Sequence, residues 1–196
     1  MKTFKILFAA IIFVGFTNAG FAQETTDEDA TIGVHAEIFS QLELAGVADV
    51  DFGSVARNVI PILDANEGNH QFVGVGHGLG LYELTADNTA DVQVTFNEFI
   101  TLTQANPDPE NSDPTELRYT PSIYYTLNLA ASFGENLIAS GESMSTSDGK
   151  EEGEEVNRAN FIVGGTLQNA DGEGSIPANA DTGEYTGDFT LTVIYN

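Results

Sequence analysis

Tyr185-Thr186-Gly187-Asp188-Phe189-Thr190-Leu191-Thr192-Val193-Ile194-Tyr195 is the stretch that decides the fold class. Its odd positions read Tyr, Gly, Phe, Leu, Val, Tyr, and the even positions from Thr186 to Thr192 read Thr, Asp, Thr, Thr. Successive side chains of a strand point to opposite faces, so a period of two sorts this segment into one apolar and one wet face. That is the signature of an antiparallel strand covering a core on one side.

Working outward, the same alternation occurs at Ile123, Tyr125, Leu127, Leu129, Ala131 and Phe133, set against Tyr124, Thr126, Asn128 and Ser132. It occurs again from Ile32 through Val34, Ala36, Ile38 and Ser40 to Leu42 and Leu44, with His35, Glu37, Gln41 and Glu43 opposite. Shorter strands are expected at Val50 to Val55, Val59 to Leu63, Phe72 to Val75, Leu79 to Thr85, Val92 to Phe96, Ile100 to Thr103 and Phe161 to Leu167. Many short strands with no amphipathic helix between them predict an all-β sandwich or barrel.

Three stretches read as exposed loops of that one domain. Asn106 to Pro114 contains Pro107, Pro109 and Pro114, which lack a backbone donor and exclude a central strand. Gly141 to Glu155 is rich in Ser, Gly and Glu and ends in Glu151-Glu152-Gly153-Glu154-Glu155, a run of like charges that stays solvated. Asn169 to Gly174 is a turn cluster.

The chain has 196 residues, 41% of them hydrophobic, enough for a folded core. With 30 acidic side chains against 6 basic ones its formal charge is −24. Nucleic acid is excluded as a partner class on that balance, because phosphate binding depends on Lys and Arg displacing counterions. The absence of Cys excludes disulfides, thiolate metal sites and Cys nucleophiles.

The amino terminus has a three-part layout. Lys2 and Lys5 are followed by an apolar run from Ile6 to Phe16, and Gly20-Phe21-Ala22 sets small residues three and one positions before a cut. This predicts a secretory signal over residues 1–22, cleaved after Ala22, since the run is too short to span a bilayer. Residues 23–31 then form a flexible acidic leader, and residues 32–196 a single domain. Secreted, periplasmic or cell-surface placement follows, and no later apolar run is long enough for a transmembrane helix.

No catalytic constellation stands out. His35, His70 and His77 have no metal-ligand spacing, and Gly141-Glu142-Ser143-Met144-Ser145 lies in a loop rather than a strand-to-helix elbow. Gly74-Val75-Gly76-His77-Gly78-Leu79-Gly80 lacks the spacing of a dinucleotide loop and the Lys-Ser/Thr of a phosphate loop, and reads as a bend where another backbone approaches. Calcium is the one ion the composition invites, with Asp108, Asp113, Asp171 and Glu173 as oxygen ligands on loops, although no twelve-residue binding pattern is present.

Phe161-Ile162-Val163-Gly164-Gly165-Thr166-Leu167 together with Gly183-Glu184-Tyr185-Thr186-Gly187-Asp188-Phe189 and the strand to Tyr195 resembles the ending of an exported bacterial family known as domain of unknown function 4402, itself similar in layout to spore-coat-U-like and fimbrial subunits. Asp51-Phe52-Gly53 is similar to an early element of that family, and Asp87 to Phe96 loosely to its central strand. The resemblance implies an immunoglobulin-like exported sandwich and brings no catalytic residues. Its structural motif residues here are Phe52, Gly53, Gly164, Gly165, Gly183, Tyr185, Gly187, Phe189 and Tyr195.

Two functions are therefore expected from different classes: a structural or adhesive surface subunit whose partners are copies of itself or other surface subunits, or an extracellular module binding glycan or calcium. An enzyme is not expected. The Ile32 to Ile38 strand is either the first strand of its own sandwich or one donated to a neighbour.

Overall fold

A computed structural model describes residues 42–87, 91–107, 109–110, 115–128, 130–146 and 156–196, the side chain of Val156 aside. The expected export segment 1–22, the leader 23–31, the expected first strand from Ile32 to Gln41 with His35, and Asn88 to Ala90, Asp108, Asp113, Leu129 and the Glu151 to Glu155 run lie outside these residues, while the end of that strand, Leu42 to Leu44, is described and leads into a strand with Leu42 and Leu44 packed on the core.

The described chain is all-β. Its strands are β1 (Glu43–Ala48), β2 (Ile62–Leu63), β3 (Gly80–Asp87), β4 (Asp91–Phe96), β5 (Ile100–Gln104), β6 (Glu116–Thr126), β7 (Asn136–Ile138), β8 (Ser143–Ser145), β9 (Val156–Asn169), β10 (Tyr185–Thr186) and β11 (Leu191–Tyr195). A large sheet runs β1-β3-β9-β6-β5-β10, with β2 added beside β9 and β7 beside β6, and a small sheet runs β11-β4-β8. Every pairing is antiparallel.

Register explains where the core lies. Tyr82 pairs with Phe161 and Phe161 with Tyr125, while Leu84 pairs with Ala159 and Ile123 with Val163. Directly paired residues share a face, so these rows build one apolar surface on β3, β9 and β6. Against it the small sheet presents Val92, Val94, Met144 and Leu191, and the two faces close on Phe161, Val163 and Ile123, all fully buried. Each such side chain contributes about 1.5–3 kcal/mol of transfer free energy.

That sandwich covers only half of the large sheet. From Tyr119 and Leu167 outward the same face carries Ile100, Leu117, Tyr119 and Leu167, packed not against the small sheet but against residues that include Ile176, Ala180, Phe52 and Val55. Gly164 and Gly165 stand at the junction. A Cβ on Gly164 would lie 2.2 Å from Leu63 O and 3.1 Å from Ala65 N, so the chain after β2 crosses β9 only because this residue has no side chain. Gly165 has φ +146° and a Cβ there would lie 2.3 Å from Thr120 O. Beside it, Pro121 sits where β6 has left β5 and not yet met β7, so its missing N–H breaks no pairing on that side.

Several expected strands need correction. Val50 to Val55 forms no strand beyond the bridge of Asp51 to Gly78, because Gly53 turns there at φ +63°. Phe72 to Val75 is irregular, with Phe72 at φ 54° and 63% exposed, and Val59 to Leu63 is reduced to β2. The Ile123 to Phe133 strand stops at Thr126 and extends the other way to Glu116, since Asn128 caps a turn through its side chain and Phe133 lies exposed over Gly68. Tyr185 to Tyr195 is two strands: the chain leaves the large sheet after Thr186 and joins the small one at Leu191. Its alternation survives the break because both sheets face the same interior.

Candidate functional site

Where the small sheet stops, a groove of about 940 Å³ lies over the half of the large sheet that the small sheet does not cover. Its floor is Ile100 and Leu102 from β5, Leu117 and Tyr119 from β6, and Leu167 from β9. One wall is the segment from Ala48 to Arg57, and the other the segment from Asp181 to Phe189.

Each wall is held by glycine. Gly53 lies against Gly74 and Val75, where added Cβ atoms would fall 2.9 Å from Val75 O and 2.1 Å, from Gly74, to Ser54 N. The Gly74-rich stretch is thus a place of close backbone approach, fastened by Gly74 N–H donating to Phe52 O at 2.8 Å. In the second wall, Gly183 is seated on Gln104, whose amide donates to Thr182 O at 2.7 Å, and Gly187 rests on Thr101 O and Leu102. The Tyr185 hydroxyl donates to Asp181 O at 3.0 Å, which fastens this wall to itself.

The groove is aromatic inside and acidic at its rim. Phe52 meets Tyr119 edge-on at a centroid distance of 5.7 Å, and Tyr82 meets Phe189 at 6.0 Å. Phe189 packs on both clusters and so marks the boundary between sandwich and groove. Asp49, Asp51, Asp181, Glu184 and Asp188 line it with Arg57 as their cationic neighbour. Burial pushes the Tyr82 hydroxyl above its ordinary range, and Asp49 adds to this. Burial also pushes the Tyr119 hydroxyl far up, so it stays protonated and donates to Gly164 O at 2.6 Å. Aromatic faces with carboxylates at the rim can hold a ligand.

Of the motif residues quoted from the sequence, Phe52, Gly53, Gly183, Tyr185, Gly187 and Phe189 line this groove. Gly164 and Gly165 form the junction beneath it. Tyr195 is elsewhere, against the sandwich core, where its hydroxyl accepts the Asp87 N–H at 2.7 Å. Sequence reasoning missed Tyr82, Tyr119, Ile176 and Ala180, because they reach the groove from β3, from the unrecognised first half of β6, and from a loop without periodicity.

Of the expected calcium ligands, Asp108 and Asp113 lie outside the described residues. Asp171 and Glu173 sit in a loop organised by Asn169, whose side chain accepts the Glu173 N–H at 2.9 Å and donates to Glu173 O at 3.0 Å. Asp171 uses its main-chain oxygen to accept from Arg118 at 3.4 Å. Among the described residues no three His, Asp or Glu side chains converge as a metal site.

The other unexpected pairing is His70 with His77, rings 4.9 Å apart. His70 Nδ1 accepts the Asp64 N–H at 2.9 Å, and His77 Nδ1 donates to Gly74 O at 2.8 Å. Both rings are thereby used to fasten turns. Among the described residues no helix is long and apolar enough to cross a membrane. Compared with known proteins, the chain matches no family model and no curated protein.

Proposed function

We propose that this chain is an exported, non-catalytic surface subunit that acts by adhesion, with the groove as its binding face. The observation that carries this reading is the groove at the half of the large sheet that the small sheet does not cover: paired strands beneath, aromatic rings and two glycine-shaped walls make a ready site for an extended ligand. The charged start and small-residue cut of the amino terminus support export. The likeness of the ending to fimbrial-type subunits supports a surface role.

Immunogold labelling of intact cells, with cells lacking the chain as control, tests it. Labelled exteriors and loss of adhesion on deletion are expected; a cytoplasmic signal overturns the reading. The glycan alternative draws on the same rings and carboxylates, which stack on sugar faces and accept hydroxyls. Calorimetric titration with neutral oligosaccharides should give heat that Tyr185→Ala abolishes. Calcium binding would show as a melting temperature raised by Ca²⁺ well beyond the effect of Na⁺ at equal ionic strength.

A further inference from the structure

The large sheet ends on β1 and β10, the small sheet on β8 and β11. Three of these edges are blunted. β1 begins on Glu43 and is bulged between Gly46 and Ala48, β10 has two residues, and β8 has three. β11 is different: its five residues pair with β4 in unbroken register from Leu191↔Phe96 to Tyr195↔Val92, with no charge, proline or glycine. Edge strands are ordinarily protected by one of those devices. This one is bare in a chain with 30 acidic residues.

The hydrogen bonding shows which groups it offers. Val94 donates to Glu142 O at 2.9 Å and accepts from Gly141 N at 2.8 Å, so its backbone faces the β8 side. Backbone direction alternates along a strand, so Gln93 and Thr95 face β11, as does Asp91, whose oxygen accepts from Asn196 N at 3.0 Å. Thr192 and Ile194, opposite Thr95 and Gln93, therefore bond to β4. Leu191 and Val193 turn their N–H and C=O outward, to an edge that no described strand occupies. Ile194, 50% exposed, stands on the outer face beside them.

We propose that this edge pairs with β11 of a second copy, antiparallel about a two-fold axis at Val193, joining two small sheets into one of six strands. An uncharged edge calls for an uncharged partner edge, and β11 is the one full-length neutral edge among the described strands. On the axis, Val193 and Val193 of the partner subunit exchange both backbone bonds, and Thr192 lies opposite Ile194 of the partner subunit, covering it. The pairing brings two strongly negative molecules together, so salt must strengthen it. That sign is opposite to the one for a partner recruited by charge. Dimerisation and the groove reading stand or fall separately, since β11 contributes nothing to the groove.

Sedimentation equilibrium of the full-length chain tests the proposal. A dimer is expected that grows with protein concentration and with added NaCl. Val193→Pro removes the outward N–H on the axis without touching a bond to β4, and should weaken the dimer by at least about tenfold, the loss of two hydrogen bonds by symmetry. Thr192→Pro, which removes an inward N–H, should instead lower the melting temperature. If Val193→Pro does not fold, Ile194→Glu takes its place, setting like charges across the axis with the ladder intact. A chain that is monomeric at every concentration and salt, or a dimer unchanged in the folded variant, overturns the proposal.

Discussion

The two halves of the large sheet share strands, alternation and apolar composition, and differ in what covers them. Phe161, Val163 and Ile123 meet another sheet and are wholly buried. Leu117, Tyr119 and Leu167, on the same strands and face, meet irregular segments that leave a groove. A sheet face is thus not committed to being core by its own pattern. Its partner decides, and here the partner runs out at the Gly164-Gly165 junction.

The largest expected difference comes from the sandwiched half. Phe161→Ala should cost about 3–5 kcal/mol in denaturant melts, because rigid sheets on both sides cannot collapse into the void. Ile176→Ala on the groove side should fall near the bottom of the usual range of about 2–5 kcal/mol, since an irregular cover outside the strand ladders can close over the loss more readily than two sheets can. Equal costs would erase the distinction between the halves.

Next in size is the junction. Gly164→Ala drives a Cβ into Leu63 O, a backbone atom that cannot swing aside, and should cost at least about 1–3 kcal/mol. A neutral result would mean that the crossing segment from Leu63 to Ala65 is not held against β9.

That crossing ends in a turn built on Asp64, whose Oδ1 accepts from Asn66 N at 2.8 Å and Glu67 N at 3.2 Å, and Oδ2 from Asn69 N at 3.2 Å. Burial alone would raise its carboxyl, but these bonds and nearby His70 outweigh it and hold it below the ordinary 3.8. A depressed carboxyl stabilises the fold above its unfolded pKa, and that stabilisation is lost as pH falls through the lowered value. Asp64→Ala should therefore cost about 1 kcal/mol near neutrality, with the gap to the parent closing below about pH 4. Smallest of all, Thr192→Ala on the wet face of β11 should change stability by less than about 0.5 kcal/mol.

What the sequence made legible follows from the same comparison. Alternation found the face of β11 and of β6 from Ile123 onward, because both sheets turn that parity inward. It hid the break at Gly187, since Tyr185 and Phe189 keep their parity while the chain changes sheets. The first half of β6 was missed because Pro121 argues against a strand unless one knows that its neighbour is absent there. The start of β9 was missed because Asn157 and Asn160, both buried, read as surface residues. The groove itself was illegible, because its walls have no period, and only Phe52, Gly53 and the Gly183 to Phe189 stretch drew notice, as motif residues and not as a site.

Native-state hydrogen exchange tests the central claim most directly, that one half of the sheet is locked between two sheets and the other is covered by largely irregular segments. Amides of Phe161 and Val163 should exchange only through global unfolding, while those of Ser54, Val55 and Asp188 should open at a small fraction of that free energy. Wall amides as slow as those of β9 would contradict the account.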